Sequence, residues 1–141
     1  MLGGVEETTA YADGVIYAIG NTQVAGGRSI AVPIKATAFA IDAATGKIKW
    51  RTDLDSGGFG GVSIANGLML FTTHEGNLRI MRAEDGKLLR SIMLGDGSAS
   101  GPVVSDGTVY VGFGWDWVSQ ARGGLTALHV PGAAAAGDDR G

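Results

Sequence analysis

The sequence contains no cysteine, only three prolines among 141 residues, and no apolar run near the roughly 18 residues that cross a bilayer. Without thiols, disulfides, thiol catalysis and cysteine-based metal sites are impossible. The short apolar runs predict no insertion into a membrane. The 11 basic residues are scattered and the net charge is −3, which argues against nucleic acid or an anionic membrane surface as a partner.

Glycine is the residue in excess, at 25 of 141 positions, but it shows no strict three-residue period, so a collagen helix is excluded. Hydrophobic residues make up 45% of the chain and charged residues 18%, a globular composition. Many glycines with few prolines are typical of tight turns between short strands. We therefore expect an all-β fold.

The two ends of the chain differ from its middle. Residues 1–7 lack the basic segment and apolar core of a signal peptide. Because a strand would follow Met1 almost at once, we expect an internal start, that is, the C-terminal fragment of a longer protein. Residues 133–141 are small and polar, and we predict a disordered tail there.

Three hexapeptides repeat along the chain, at residues 12–17, 65–70 and 105–110, each with glycine at its third position. The glycines are separated by 53 and then 40 positions. A second repeated segment has the same spacing, because Asp42–Lys47 aligns with Arg82–Lys87, 40 positions later. We therefore predict that residues 1–132 hold three repeats, with these bounds: 3–55, 56–96 and 97–131.

The second repeat divides into four short strands, which we place at residues 61–65, 68–73, 78–82 and 87–94. Asn66-Gly67 suits a two-residue hairpin turn. Four antiparallel strands per forty residues predict a propeller blade. The nearly continuous apolar run Leu68–Phe71 predicts packing on both faces of the sheet.

The third repeat ends after its third strand, predicted at Leu125–Val130, while residues 3–12 already form the first strand of the first repeat. Three blades cannot close a ring, so two sheet faces should stay open. Leaving a 400 Å² apolar face open forgoes on the order of 10 kcal/mol of burial, at about 25 cal/mol per Å². We expect the remaining blades of a longer chain, or another copy, to cover these faces.

Residues 40–50 carry the most specific motif in the chain. They resemble the A-x-D-x-x-T-G-K-x-x-W signature of pyrroloquinoline quinone (PQQ) enzyme repeats. Asp42 and Thr45 suit hydrogen bonds from side chain to backbone in a turn, and Gly46 suits a positive φ. Trp50 should dock between blades. The second repeat departs from the motif, with Arg82 and Arg90 in place of Asp42 and Trp50.

The resemblance covers residues 3–131, and residues 97–114 with 123–128 are similar to the closing repeats of quinoprotein alcohol dehydrogenases of the polyvinyl-alcohol type. It implies a partial β-propeller of about three four-stranded blades from an eight-bladed ring, an extracytoplasmic or periplasmic location, and a PQQ-dependent alcohol dehydrogenase with PQQ and Ca²⁺. The same repeats also occur in outer-membrane assembly lipoproteins, which implies the alternative of a non-catalytic scaffold for a protein partner.

Candidate site residues fall on the rim that carries the two longest loops, at residues 20–36 and 112–124. By resemblance, this rim carries the cofactor funnel. Glu6 and Glu7 could offer carboxylate oxygens to Ca²⁺, or they could be a solvated acidic pair. Residues placed just before the inner strands should line the mouth: Glu6, Glu7, Phe59, Ser98 and Ser100.

Aromatic and basic residues of the loops supply the other cofactor candidates. Trp115, Asp116 and Trp117 could stack on a flat quinone, or pack their loop on a neighbouring blade. Arg122 and Arg28 could pair with a cofactor carboxylate, or lie exposed. The isolated His74 and His129 favour surface or packing roles over metal binding. No residue is identified as catalytic.

Overall fold

The computed structural model describes residues 4–22, 35–114 and 122–129. All the regular elements in these ranges are β-strands. The described residues contain no membrane-spanning helix. Their strands have these bounds: β1 Ala10–Ala12, β2 Val15–Thr22, β3 Lys35–Asp42, β4 Ile48–Leu54, β5 Ser63–Ala65, β6 Leu68–Thr72, β7 Asn77–Arg82, β8 Leu88–Met93, β9 Val103–Ser105, β10 Thr108–Phe113 and β11 Gly124–His129.

The strands form three antiparallel sheets, each with consecutive strands side by side. We call them blade 1 (β1–β4), blade 2 (β5–β8) and blade 3 (β9–β11, three strands within the described residues). The short first strands lie together, because β5 contacts both β1 and β9. First strands gathered around a common axis are the arrangement of a β-propeller. The prediction of an all-β partial propeller is confirmed.

Tight two-residue turns join the first and second strands of every blade. In each of them, both central residues have positive φ, as a type I′ hairpin turn requires. The first central residue is aspartate or asparagine, which tolerates this conformation, and the second is glycine. The φ angles are: Asp13 49°, Gly14 76°, Asn66 48°, Gly67 72°, Asp106 48° and Gly107 73°.

The turns between third and fourth strands lie on the same rim as these hairpin turns. The backbone N–H of Ala43 donates to the carbonyl of Gly14 at 2.9 Å, and Ala83 donates to Gly67 at 2.9 Å. In blades 1 and 2, the two turns at this end are therefore joined to each other. The segments that enter each blade run along the opposite rim, which we call the entry rim.

Each interface between blades holds a separate apolar core. Strand residues alternate between the two sides of a sheet. We call the side that faces the next blade along the chain the forward face, and the opposite side the backward face. Met69 and Phe71 on the backward face of blade 2 pack against blade 1, while Leu70 and Leu78 on its forward face pack against blade 3. The expected packing of both faces is thus present in the middle blade.

The first strands of blades 1 and 2 are shorter than the sequence suggested. In place of strands at residues 3–12 and 61–65, β1 covers Ala10–Ala12 and β5 covers Ser63–Ala65. The preceding residues use their backbone groups between blades instead, since the N–H of Val62 donates to the carbonyl of Thr8 at 2.9 Å. These segments therefore link neighbouring blades along the entry rim.

Candidate functional site

A buried asparagine joins blades 1 and 2 at the entry rim. The Asn21 side chain donates from Nδ2 to the Gly58 carbonyl at 2.9 Å, and its Oδ1 accepts from the Gly58 N–H at 3.0 Å. Asn21 is only 6% exposed, so both bonds are shielded from water. Asn21 was not among the predicted site residues, because the sequence marks it only as an amide at the end of an apolar strand.

Phe59 was expected at the mouth of a funnel, but it belongs to the packing of this rim. It is buried, and its ring centroid lies 5.7 Å from that of His74, with the planes tilted by 59°. The adjacent Gly58 lies against Ile19, where a Cβ would come within 2.8 Å of a side-chain methyl. The rim is thus tightly filled between blades 1 and 2.

Two serines hold the entry segment of blade 3. Ser98 is fully buried, and its Oγ donates to the Gly112 carbonyl at 2.7 Å and accepts from the Ser100 N–H at 3.2 Å. The Oγ1 of Thr72 in blade 2 donates to the Ser100 carbonyl at 2.8 Å. An open depression of about 400 Å³ lies beside these serines, lined by residues 98–100 and 112–114.

Glu6 and Glu7 precede β1 on the entry rim, where Glu6 is exposed and Glu7 is half-buried. Burial raises the pKa of Glu7 above its usual value, and the neighbouring charge of Glu6 raises this pKa further. A cation near the pair would relieve this repulsion. Within residues 4–22, 35–114 and 122–129, however, no group of three or more acidic or histidine side chains is arranged to hold a metal ion.

Of the remaining cofactor candidates, the structure describes only Arg122, which belongs to a different blade from the two glutamates. Arg122 is exposed beside β11 in blade 3, whereas Glu6 and Glu7 lie before β1 in blade 1. The Nδ1 of His129 lies 3.2 Å from Thr108 Oγ1 on the neighbouring strand. Four candidates from the loops lie outside the described residues: Arg28, Trp115, Asp116 and Trp117.

The turn of the specific motif closes on an aspartate. Asp42 Oδ1 accepts hydrogen bonds from the Thr45 N–H at 2.8 Å and from Thr45 Oγ1 at 2.7 Å. The hydroxyl bond is the main cause that lowers the pKa of Asp42, followed by the backbone bond. Gly46 follows with φ of 71°, a conformation that a Cβ would strain.

The corresponding turn of blade 2 uses different side chains for the same purpose. Arg82 replaces the aspartate and pairs with Asp85 at 2.8 Å, and Asp85 Oδ1 accepts from the Lys87 N–H at 3.0 Å. The carboxylate has moved from the first to the fourth position of the turn. The departure from the motif therefore keeps a carboxylate cap.

Trp50 connects the fourth strand of blade 1 to this turn of blade 2. Its Nε1 donates to the Ala83 carbonyl at 2.9 Å, and Thr52 Oγ1 donates to the Gly86 carbonyl at 3.0 Å. A Cβ at Gly86 would lie 2.5 Å from Cε3 of the indole, so only glycine leaves room for the ring. The indole also lies 6.2 Å from the Tyr17 ring, between centroids.

These features define a class of protein, a propeller built from PQQ-like repeats in which a tryptophan of one blade docks on the turn of the next. The family model described as "Outer membrane protein assembly factor BamB" (PQQ_2) matches residues 7–136. The chain belongs to this PQQ-like propeller family. No curated protein matches the chain in sequence.

Solved structures with the same fold include both dehydrogenases and BamB. A europium-containing methanol dehydrogenase is similar over 77% of this chain, with a TM-score of 0.60 and 19% identity. A quinohemoprotein alcohol dehydrogenase from Comamonas testosteroni is similar over 77%, with a TM-score of 0.57 and 18% identity. BamB from Moraxella catarrhalis is similar over 79%, with a TM-score of 0.53 and 16% identity.

This chain is much shorter than those proteins. The match covers 24% of the methanol dehydrogenase chain, 22% of the Comamonas enzyme and 31% of BamB. At these identities, the likeness establishes the fold alone. Ca²⁺ takes about six to eight oxygen ligands, and within the described residues no third acidic or histidine side chain joins Glu6 and Glu7 in a metal-binding group.

Proposed function

We propose that the chain forms three consecutive blades of a larger PQQ-like propeller that serves as a protein-binding scaffold. The observation that carries this proposal is an apolar edge strand on the middle blade. β8 is the outermost strand of blade 2, and its side chains Leu89 and Met93 are 41% and 62% exposed. Exposed apolar side chains on a sheet edge are a common site of protein docking.

The entry rim supports the same proposal. Asn21 and Thr72 on this rim are buried, and their side chains donate hydrogen bonds that join neighbouring blades. Such bonds make a rigid frame, and rigid frames present a binding surface at a low cost in entropy. The family description as an outer-membrane assembly factor is consistent with a role of this kind, and with a location outside the cytoplasm.

The scaffold proposal is tested with a double variant, Leu89→Lys and Met93→Lys. A partner captured on the immobilised chain would be purified and its affinity for wild type and variant compared. We expect at least a tenfold loss of affinity, because two apolar contacts are replaced by charges that must be desolvated. The matched control is Arg51→Ala with Asp53→Ala on β4, which should bind normally. Equal binding by both double variants would reject β8 as the docking strand.

A second candidate function is favoured by Glu7. Its half-burial beside Glu6 raises its pKa, an arrangement often found where a carboxylate meets a ligand. In this alternative the chain is a sector of a PQQ-dependent alcohol dehydrogenase, and Glu6 and Glu7 contribute oxygen ligands to Ca²⁺ beside the quinone. The quinone would supply the oxidising chemistry, and other blades would supply the remaining ligands.

Cofactor binding separates the two candidates. PQQ and Ca²⁺ would be added to the protein, with dye-linked alcohol oxidation and quenching of tryptophan fluorescence as readouts. The dehydrogenase candidate requires Ca²⁺-dependent quenching that Glu7→Gln weakens at least tenfold. No quenching at high micromolar PQQ would count against this candidate and leave the scaffold proposal standing.

A further inference from the structure

The hairpin turns that join the first and second strands of the three blades differ in one residue type. Blades 1 and 3 use aspartate followed by glycine, with the aspartates at Asp13 and Asp106, whereas blade 2 uses Asn66 followed by Gly67. The backbone conformation is the same, because φ is 49° at Asp13, 48° at Asn66 and 48° at Asp106. The turn of blade 2 is therefore the amide version of a turn that the other blades build with a carboxylate.

An asparagine followed by glycine is especially prone to spontaneous deamidation. The backbone nitrogen of the following residue attacks the side-chain carbonyl carbon, and glycine has no side chain to hinder that attack. Asn66 and Gly67 are both exposed to solvent. Among the described residues, neither the Asn66 side-chain amide nor the Gly67 N–H has a hydrogen-bond partner. Both reacting groups are thus accessible.

The other two asparagines of the chain are held by hydrogen bonds. Asn21 is buried, and its amide bonds both the N–H and the carbonyl of Gly58. Asn77 lies within β7, where its Oδ1 accepts from Ser91 Oγ and the next residue, Leu78, is fully buried. These side chains must break their bonds before the following nitrogen can attack them. The structure therefore separates Asn66 from the other two.

We propose that Asn66 is a site of spontaneous modification, at which deamidation converts the turn of blade 2 into an Asp-Gly turn. The Gly67 nitrogen bonds to Asn66 Cγ, the bond from Cγ to Nδ2 breaks, and ammonia leaves with the proton of the Gly67 N–H. Water then opens the five-membered imide. Breaking the new bond gives aspartate, and breaking the original peptide bond gives isoaspartate. The proposal holds under either function above.

The attack requires a local opening of the turn. The Gly67 carbonyl accepts from the Ala83 N–H at 2.9 Å, and this bond breaks when the turn rotates to bring the Gly67 nitrogen to Asn66 Cγ. Exposed turns open at a lower free-energy cost than core strands do. The reaction therefore proceeds without unfolding of the sheet, at a rate set by the opening of this one turn.

The aspartate product fits the turn as it stands. Asp13 and Asp106 already hold this residue type at the same φ, so no backbone change is needed. The consequence is one of charge, since a negative charge is added to a chain whose net charge is −3. Asn66 and Asp106 line one depression of about 510 Å³, between the first strands of blades 2 and 3. Deamidation thus places a second carboxylate in this depression.

The isoaspartate product does not fit. It adds one carbon atom to the backbone of a two-residue turn whose flanking residues, Ala65 and Leu68, are paired. Since turn length sets the register of a hairpin, the longer turn displaces the Gly67 carbonyl from the Ala83 N–H. We therefore expect isoaspartate to loosen blade 2, whereas aspartate preserves it.

The first test locates the reaction in the full chain. The protein is incubated folded and, in parallel, unfolded in urea, and peptide mapping by mass spectrometry follows conversion of amide to acid at each asparagine. In the folded chain, we expect Asn66 to convert at least tenfold faster than Asn21 and Asn77, the controls within the same molecule. If Asn66 converts in urea but no faster than Asn77 in the folded chain, the turn shields it and the proposal is wrong.

The second test compares the two products. Asn66→Asp supplies the aspartate form directly, and the isoaspartate form is purified from aged protein and identified by isoaspartate-specific methylation. We expect Asn66→Asp to melt at the wild-type temperature and the isoaspartate form to melt several degrees lower. Hydrogen exchange at the Ala83 N–H should be faster in the isoaspartate form alone. Equal melting and exchange for the two products would overturn their assigned difference, as would a clear loss of stability in Asn66→Asp.

Discussion

The indole Nε1 of Trp50 lies 2.9 Å from the carbonyl oxygen of Ala83, which belongs to the neighbouring blade. This bond crosses the interface between blades 1 and 2, whose centre consists of apolar side chains. A hydrogen bond at the end of an apolar interface fixes how the sheets align, because the indole must reach one particular carbonyl. The relationship between these two residues leads to the first prediction.

Trp50→Phe should lower the free energy of unfolding by about 1–2 kcal/mol, because the Ala83 carbonyl loses its indole donor and the ring shrinks. Urea unfolding followed by circular dichroism measures the change. Arg90→Phe is the control, since it alters the equivalent strand position of blade 2 without removing a described bond between blades. Equal losses in the two variants would mean that the indole bond does not stabilise the interface.

Asn21→Ala should lower the free energy of unfolding by about 2–3 kcal/mol, more than Asn77→Ala does. The Asn21 amide satisfies both the N–H and the carbonyl of Gly58 in a buried position, and a buried group left unpaired costs its full desolvation. Asn77→Ala is the matched control, because its Oδ1 accepts an exposed bond from Ser91. Denaturant midpoints that shift equally would contradict this prediction.

The turn at Asp42 should make stability depend on pH. Since the folded pKa of Asp42 lies below its ordinary value of 3.8, the carboxylate stabilises the fold above that pH. This contribution is lost as the pH falls through the folded pKa. We expect the melting temperature of Asp42→Asn to lie below that of wild type at pH 7, and the difference to shrink near pH 3.

Thr45→Val provides the companion variant for the same turn. It removes the hydroxyl bond that is the main cause of the lowered pKa, while the carboxylate stays in place. The pKa of Asp42, followed by NMR of its carboxyl carbon, should rise toward its ordinary value. An unaltered pKa would show that the backbone bond from Thr45 suffices.

Glu6→Gln should lower the pKa of Glu7 without restoring it fully. Burial is the larger cause of the raised value and remains after the substitution, whereas the repulsion from Glu6 is removed. The pKa of Glu7 should therefore settle between its present value and the ordinary value of 4.5. An NMR titration of the side-chain carboxyl measures it. A return to 4.5 would mean that charge repulsion outweighs burial.

The repeating parts of the fold could be predicted from the sequence because each has a local cause. Asn66-Gly67 must adopt positive φ to join two strands tightly, and residue types alone reveal such a turn. The same holds for the Asp42 turn, whose two bonds involve residues three positions apart. For Trp50, the motif predicted docking between blades, but only the structure shows Ala83 as the acceptor.

The entry rim could not be predicted, because its contacts join residues far apart in sequence. Asn21 and Gly58 are separated by 37 positions, and neither belongs to a recognisable motif. Phe59 looked available for a ligand because it precedes an inner strand, yet it is buried and its ring lies against His74. For this reason, the candidate cofactor residues stay predictions, while the architecture is established.

The alternation of faces gives the arc of blades a direction. In both observed interfaces, the forward side of one sheet meets the backward side of the next. Tyr17 and Met69 belong to one apolar core, and Leu70 and Val111 belong to the other. Two copies that met through the backward faces of their first blades, related by twofold symmetry, would reproduce neither interface. Gene duplication that adds a blade in the same orientation would, however, recreate a compatible junction, so this architecture can lengthen by simple tandem copying.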